Sequence, residues 1–161
     1  MTLIALVDDE NSIRISVCLA LESEGFKVDV FQNGLEAIEA LESRHYDLGL
    51  FDIKMPKMDG NELLSKVRSS RKETLKEMPI IFLTSKDQEQ DEIIGLRMGA
   101  ADYITKPFSQ KLLNERIRTV LRIYENRKNT DRLDEKLVNN LKKGDLELDD
   151  SKLIGSASIE E

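Results

Sequence analysis

Ionisable and hydroxyl residues follow several short apolar runs of the sequence. They are, in chain order, Asp8-Asp9-Glu10, Asp52, Thr84-Ser85 and Thr105-Lys106-Pro107. Clustered aspartates repel one another unless a cation holds them together. Because these segments offer only oxygen ligands, with no His or Cys nearby, the fitting ion is hard and divalent, Mg²⁺ before Ca²⁺. Together with a lysine and a hydroxyl, such a site has the parts needed to accept a phosphoryl group on an aspartate.

Each of these residues also has an ordinary structural interpretation when it is taken alone. An aspartate such as Asp9 at the end of a strand is usually a turn former or a helix N-cap. Taken alone, Thr84 is more often a cap than a switch residue, and Lys106 is most often a solvated charge. The hypothesis of phosphoryl chemistry therefore depends on a fold that brings all of them to one place.

The elements that must position these residues alternate along the chain. Five short apolar or alternating segments predict strands, beginning near Leu3, Lys27, Asp47, Ile80 and Asp102. Each is followed by an amphipathic segment that predicts a helix. The polar stretch 68–77 is interpreted as a helix end and loop, and Gly49 is unusual for a strand interior.

Five successive βα units predict an α/β fold, a doubly wound five-stranded parallel sheet with helices on both faces. Ligands of such sheets bind beyond the carboxyl ends of the strands. The residues singled out above stand at those ends, so the sequence predicts one site at that edge of the sheet.

Length and composition exclude several classes of protein. The 161 residues suit one domain of ordinary size with a short addition, and a single Cys excludes an internal disulfide. The amino-terminal residues do not form a signal peptide, and no apolar stretch is long enough to span a bilayer, which together predict a cytoplasmic protein. With a net charge of −7 the chain lacks the basic excess of a nucleic-acid binder, so no DNA binding is expected from this chain alone.

Four segments of the chain resemble the motifs of response-regulator receiver domains, over about residues 1–121. They are LVDDE, FDIKMPKMDG, FLTSK and GAADYITKPF. The likeness is strongest to the winged-helix (OmpR/PhoB-like) transcriptional regulators, and to the ChvI type in particular. The resemblance implies a flavodoxin-like sheet of strand order 2-1-3-4-5 with five helices. It also implies a two-component system, in which a sensor histidine kinase transfers a phosphoryl group to this domain.

The resemblance assigns the acidic residues to phosphoryl transfer and to a magnesium site. Asp52 is expected to be the phosphoacceptor. Asp9 and Asp52 are expected to bind Mg²⁺ directly, together with the backbone carbonyl of Lys54, while Asp8 acts through metal-bound water. These assignments match the family's pattern at each position.

The resemblance also assigns the residues that respond to the phosphoryl group. Lys106 is expected to pair with the phosphoryl group, and its peptide bond to Pro107 is expected to be cis. Thr84 is expected to donate its hydroxyl to a phosphoryl oxygen. Tyr103 is expected to change rotamer as Thr84 moves. The family usually has a second aspartate where this chain has Ala101, which affects contacts between subunits and not the chemistry.

The implied output is a switch and not a turnover enzyme. The domain is expected to catalyse its own phosphorylation and slow dephosphorylation, and to form a homodimer through the fourth helix, fifth strand and fifth helix. Asp102 and Arg116 on that face are a candidate pair across the dimer, although a surface helix often carries such residues by default.

The remaining residues predict a charged linker at 122–143, helical or partly ordered. Residues 144–161, which include an alternating strand-like run from Gly144 to Asp149, resemble the start of a winged-helix domain that is truncated and disordered. Two interpretations of the output therefore stay open: a regulator of transcription, and a stand-alone receiver that binds a protein or drains phosphoryl groups from a kinase. A flavodoxin-like binding protein or enzyme is a third, weaker alternative.

Overall fold

The computed structural model describes residues 1–85 and 87–147, in which helices and strands alternate. The strands are β1 Leu3–Val7, β2 Lys27–Phe31, β3 Leu48–Asp52, β4 Ile80–Thr84 and β5 Asp102–Thr105. The helices are α1 Asn11–Ser23, α2 Gly34–Ser43, α3 Gly60–Arg68, α4 Glu73–Lys76, α5 Glu89–Arg97 and α6 Gln110–Glu147.

The sheet has five parallel strands in the order β2-β1-β3-β4-β5, as predicted. All residues of β3 and β4 are buried, which explains why these strands are continuous apolar runs. Their registers align the carboxyl ends, with Val7 beside Phe51 and Asp52 beside Leu83. The residues that follow β1, β3 and β4 are thereby brought to one edge.

Gly49 lies inside β3 because its neighbours leave no room for a side chain. A Cβ atom there would lie 2.7 Å from Cε1 of Phe51 and 3.2 Å from Cε of Met78. The Phe51 ring is fully buried and packs edge-on against Phe82, with the ring centroids 6.4 Å apart. A tightly packed core therefore accounts for the glycine.

Within residues 1–85 and 87–147 the structure has six helices, so the prediction of five was wrong. The additional helix α4 is a single turn within the polar stretch that was interpreted as a helix end and loop. Its one apolar residue, Leu75, is buried, and one residue in four is too weak a pattern to predict a helix. Arg68 of α3 donates to the carbonyls of Lys76 and Met78, which fixes the chain on the far side of this turn.

The chain divides between Arg122 and Ile123 into two compact units. In the second unit the described residues are helical up to Glu147, so the strand predicted from Gly144 was wrong for residues 144–147. A lone strand has no partner for its backbone groups, whereas each residue added to a helix closes a hydrogen bond. The rest of the predicted winged-helix remnant, 148–161, lies outside the described residues. Within residues 1–85 and 87–147, no helix combines the length and apolar character that crossing a membrane requires.

Candidate functional site

Three carboxylates meet at the carboxyl edge of the sheet. Asp8 and Asp9 follow β1, Asp52 ends β3, and their oxygen atoms lie within 4.8 Å of one another. Asp8 is fully buried and Asp52 is 5% exposed, whereas Asp9 is exposed. Three like charges at this separation repel one another, which a bound cation would relieve, and an all-oxygen donor set suits Mg²⁺. The residues present therefore fit the predicted metal.

Lys106 supplies a positive charge to the same site. Its Nζ atom lies 2.9 Å from Oδ2 of Asp8, 3.4 Å from Oδ1 of Asp52 and 3.6 Å from Oε1 of Glu10. Burial acts to lower the pKa of the Lys106 ammonium, but the hydrogen bond to Asp8 and the surrounding negative charges outweigh it and raise this pKa. Lys106 is therefore a fixed cation, and its bond to Pro107 is cis, as predicted.

The carboxyl group of Asp52 is strongly perturbed. Burial raises its pKa to about 7, and the charge of Asp8 adds to this effect. Lys106 opposes the rise, while Asp9 contributes further to it through a hydrogen bond and its charge. A carboxyl group with such a pKa is largely neutral below pH 7, so a cation in addition to Lys106 would be needed to keep it ionised there.

The free energy of unfolding of the metal-free protein is expected to fall as pH rises from about 4 to 7. The folded chain keeps the Asp52 proton up to about pH 7, whereas the unfolded chain releases it near 3.8. Within this window the unfolded state binds fewer protons, so each rise in pH favours unfolding, by on the order of a few kcal/mol in total. Denaturant unfolding at several pH values measures this slope.

Asp52→Asn is the control for this pH dependence, because asparagine carries no titrating group. We expect the variant to lose most of the fall between pH 4 and 7 and to be more stable than the wild type at pH 8. Saturating Mg²⁺ should stabilise the wild type at pH 8 by mass action. Equal slopes for the two proteins would show that Asp52 does not have the raised pKa.

The loop after Asp52 is held close to the strand that precedes it. The amide of Gly60 donates to the carbonyl of Ile53 at 2.7 Å, and a Cβ atom on Gly60 would lie 2.6 Å from the carbonyl oxygen of Asp52. Asp59 caps α3 by accepting from the amide of Glu62, and the Glu62 side chain in turn accepts from the amide of Asp59. Glycine and the cap together fix the loop that carries Lys54.

Thr84 lies at the same edge, at the buried end of β4, but its hydroxyl has another partner. It donates to Oε2 of Glu92, a residue of α5, at 3.2 Å. The Tyr103 hydroxyl donates to the backbone carbonyl of the same Glu92. The centroids of the Tyr103 and Phe82 rings are 5.6 Å apart. Burial and the charge of Glu92 raise the pKa of Tyr103 to about 12, so the phenol remains a donor. The two predicted switch residues therefore share one partner.

Sequence reasoning missed the first turn of α5 as part of this site. Glu92 gives no signal by itself, because an acidic residue near the start of a helix is common on any surface. Gly95, one turn further along α5, allows the helix to pack closely on the sheet, because a Cβ atom there would lie 2.8 Å from Cε2 of the buried Phe82 ring. Its position inside a helix is the one signal that the sequence offered, because glycine disfavours helices.

Asp102 and Arg116, the candidate pair across a dimer, bind each other within one chain. Nη1 of Arg116 lies 3.0 Å from both carboxylate oxygens of Asp102. Arg118, also on α6, lies 2.8 Å from Glu24. A pairing of Asp102 with Arg116 across a dimer stays a prediction, and it requires the internal pair to open first.

Comparison with known proteins identifies relatives of the first unit. Residues 4–118 match the family model for the response regulator receiver domain. The regulatory protein VanRc of Enterococcus gallinarum is 38% identical over 122 residues, which are 76% of this chain and 51% of that protein. The alkaline phosphatase synthesis transcriptional regulatory protein PhoP of Bacillus subtilis is 40% identical over 119 residues, 74% of this chain and 48% of that protein. The chain thus spans about half the length of these relatives.

Solved structures show the same fold. A CheY-like receiver domain protein from Methanospirillum hungatei superimposes with a TM-score of 0.73 at 33% identity, covering 79% of this chain and 98% of that one. NtrX from Brucella abortus gives a TM-score of 0.76 at 26% identity, covering 83% of this chain and 30% of that one. The similarity is therefore found both in a single receiver domain and in one part of a larger protein.

Proposed function

The chain belongs to the response regulator receiver domain family, and on this premise we propose that Asp52 accepts a phosphoryl group from a sensor histidine kinase. The observation that carries this assignment is the convergence of Asp8, Asp9, Asp52 and Lys106 at one edge of the sheet. Asp52 stands at the end of the central strand β3, and its Oδ1 atom lies 3.4 Å from the Lys106 ammonium.

In the proposed reaction a carboxylate oxygen of Asp52 attacks phosphorus in line. A P–O bond to Asp52 forms as the P–N bond to the kinase histidine breaks, and the product is an aspartyl phosphate. Asp9, Asp52 and the Lys54 carbonyl would hold Mg²⁺, with Asp8 acting through water. When bound, the ion would neutralise negative charge on the oxygen atoms of the transferred phosphoryl group. Lys106 contributes to the same neutralisation from the protein side.

Surface residues near the site suit the docking of a kinase. Glu10, Ile13 and Ser16 form a groove with Lys106, Pro107 and Phe108 beside the carboxylates. On α1 the side chains of Ile15 and Leu19 are 53% and 64% exposed. An apolar helix face next to a charged site offers a phosphodonor domain both a hydrophobic contact and access to Asp52.

The proposed output is a shift between two conformations, and the domain is not a turnover enzyme. The phosphoryl group would favour the state in which Thr84 donates to it, and Tyr103 would follow. We propose that this state forms a two-fold homodimer through α5, β5 and α6. The relatives named transcriptional regulatory proteins support a role in transcription, and this chain matches about half of their length.

Solution mass by light scattering tests the switch, with and without Mg²⁺ plus beryllofluoride as a mimic of the phosphoryl group. We expect the wild type to shift from monomer to dimer and Asp52→Asn to remain monomeric. A wild type that binds the mimic but stays monomeric favours the stand-alone receiver, whose output is a protein partner or the draining of phosphoryl groups. A wild type that does not bind the mimic would contradict the assignment of Asp52.

A further inference from the structure

The hydroxyl of Thr84 has a single proton, and in this structure Glu92 receives it. Oγ1 of Thr84 and Oε2 of Glu92 are 3.2 Å apart, and Thr84 is fully buried. A hydroxyl can donate one hydrogen bond at a time. While Thr84 donates to Glu92, it is therefore unable to donate to a phosphoryl group on Asp52.

Glu92 also binds the second switch residue, through a different atom. Its backbone carbonyl accepts the hydrogen bond from the Tyr103 hydroxyl. The two bonds come from neighbouring strands, since Thr84 ends β4 and Tyr103 lies in β5. The two switch residues thus bind the same residue of α5.

Asp91, the residue before Glu92, connects the first turn of α5 both to the loop that follows Asp52 and to helix α3. Oδ2 of Asp91 lies 3.3 Å from Nζ of Lys54, and the carbonyl of Asp91 accepts from Nδ2 of Asn61 at 3.3 Å. The Lys54–Asp91 pair is exposed on the lysine side and contributes little alone. With the bonds to Thr84 and Tyr103, the first turn of α5 is nevertheless held at four points around the site.

We propose that Glu92 is a positioning residue that holds Thr84 in the resting state, so that its carboxylate competes with the phosphoryl group for the Thr84 hydroxyl. This inference rests on the proposed function of Asp52. It makes Glu92 a determinant of how readily the domain switches: the phosphoryl group must displace an existing charged acceptor before it gains the Thr84 hydrogen bond.

The test is the affinity for beryllofluoride in the presence of Mg²⁺, measured by titration calorimetry on the full chain. Glu92→Ala is expected to bind the mimic about two- to tenfold more tightly than the wild type, the range that one hydrogen bond contributes. Glu92→Gln keeps a neutral acceptor and should give a smaller gain. Glu89→Gln is the matched control, because it removes a negative charge from the same turn at an exposed position.

A double-mutant cycle separates competition for Thr84 from a general effect of charge. In the Thr84→Ala background, Glu92→Ala should no longer raise the affinity for beryllofluoride, because the hydroxyl for which the two acceptors compete is absent. Thermal unfolding of each variant verifies that the proteins compared are folded.

The outcomes distinguish this inference from the proposed function on which it rests. The role of Glu92 would be overturned if Glu92→Ala did not raise the affinity for beryllofluoride, or raised it no more than Glu89→Gln does. It would also be overturned if the increase persisted in the Thr84→Ala background. None of these results would affect the assignment of Asp52. A wild-type protein that does not bind the mimic would instead overturn the proposed function.

Discussion

Asp52→Asn is expected to abolish phosphoryl acceptance while leaving the fold intact. The substitution keeps the shape of a side chain that is 5% exposed, so the core of the sheet is preserved. An amide is a far weaker nucleophile than a carboxylate and cannot form the acyl phosphate. Incubation with acetyl phosphate and Mg²⁺, followed by intact mass spectrometry, should show one added phosphoryl group on the wild type and none on the variant.

Asp59→Asn is the matched control for this substitution. Asp59 caps α3 on the same loop, and asparagine caps helices about as well as aspartate. We therefore expect Asp59→Asn to accept the phosphoryl group at close to the rate of the wild type. Retention of phosphoryl transfer by Asp52→Asn would assign the acceptor to another residue.

Lys106→Met is expected to have the second-largest effect, on both reaction rate and stability. Loss of the ammonium removes a charge that neutralises the transferred oxygens, which lowers the rate of phosphorylation by about 10²-fold or more. It also leaves the fully buried Asp8 without its cation at 2.9 Å. Breaking a buried ion pair from one side costs about 3–5 kcal/mol, which denaturant unfolding without Mg²⁺ at pH 8 should detect.

The double variant Lys106→Met/Asp8→Asn separates these two effects. Because the buried charge is then removed with its partner, the free energy of unfolding should recover most of the loss, while phosphorylation should not. Lys111→Met, at an exposed position of α6, controls for the loss of a lysine. Full phosphorylation activity in Lys106→Met would contradict the role of this residue.

Much of the fold and of the acidic site could be predicted from the sequence, because the same physical constraint shapes both. Strands buried on both faces must be continuous apolar runs, as in β3 and β4, so their ends are marked sharply by the first polar residue. In a parallel sheet those ends share one edge. The order of apolar runs and polar residues along the chain therefore predicts that Asp8, Asp52 and Lys106 lie at one edge, and the strand order implied by the family resemblance predicts that they meet there.

The partners of the switch residues could not be predicted in this way. Thr84 and Tyr103 were expected to respond to the phosphoryl group, but their common partner Glu92 lies on α5, and its choice depends on how that helix packs. Sequence spacing gives the face of a helix and not the rotamer of one side chain. Similarly, α4 is one turn long and has too few residues for a periodic pattern.

The chemical location of the phosphoryl group tests the central claim most directly. The wild type is phosphorylated with acetyl phosphate and Mg²⁺, and borohydride then reduces the acyl phosphate to a homoserine that tandem mass spectrometry locates. We predict homoserine at position 52 alone, and none when Mg²⁺ is removed by a chelator. Homoserine at position 8 or 9, or a protein that remains unmodified with Mg²⁺ present, would contradict the assignment of Asp52 as the phosphoacceptor.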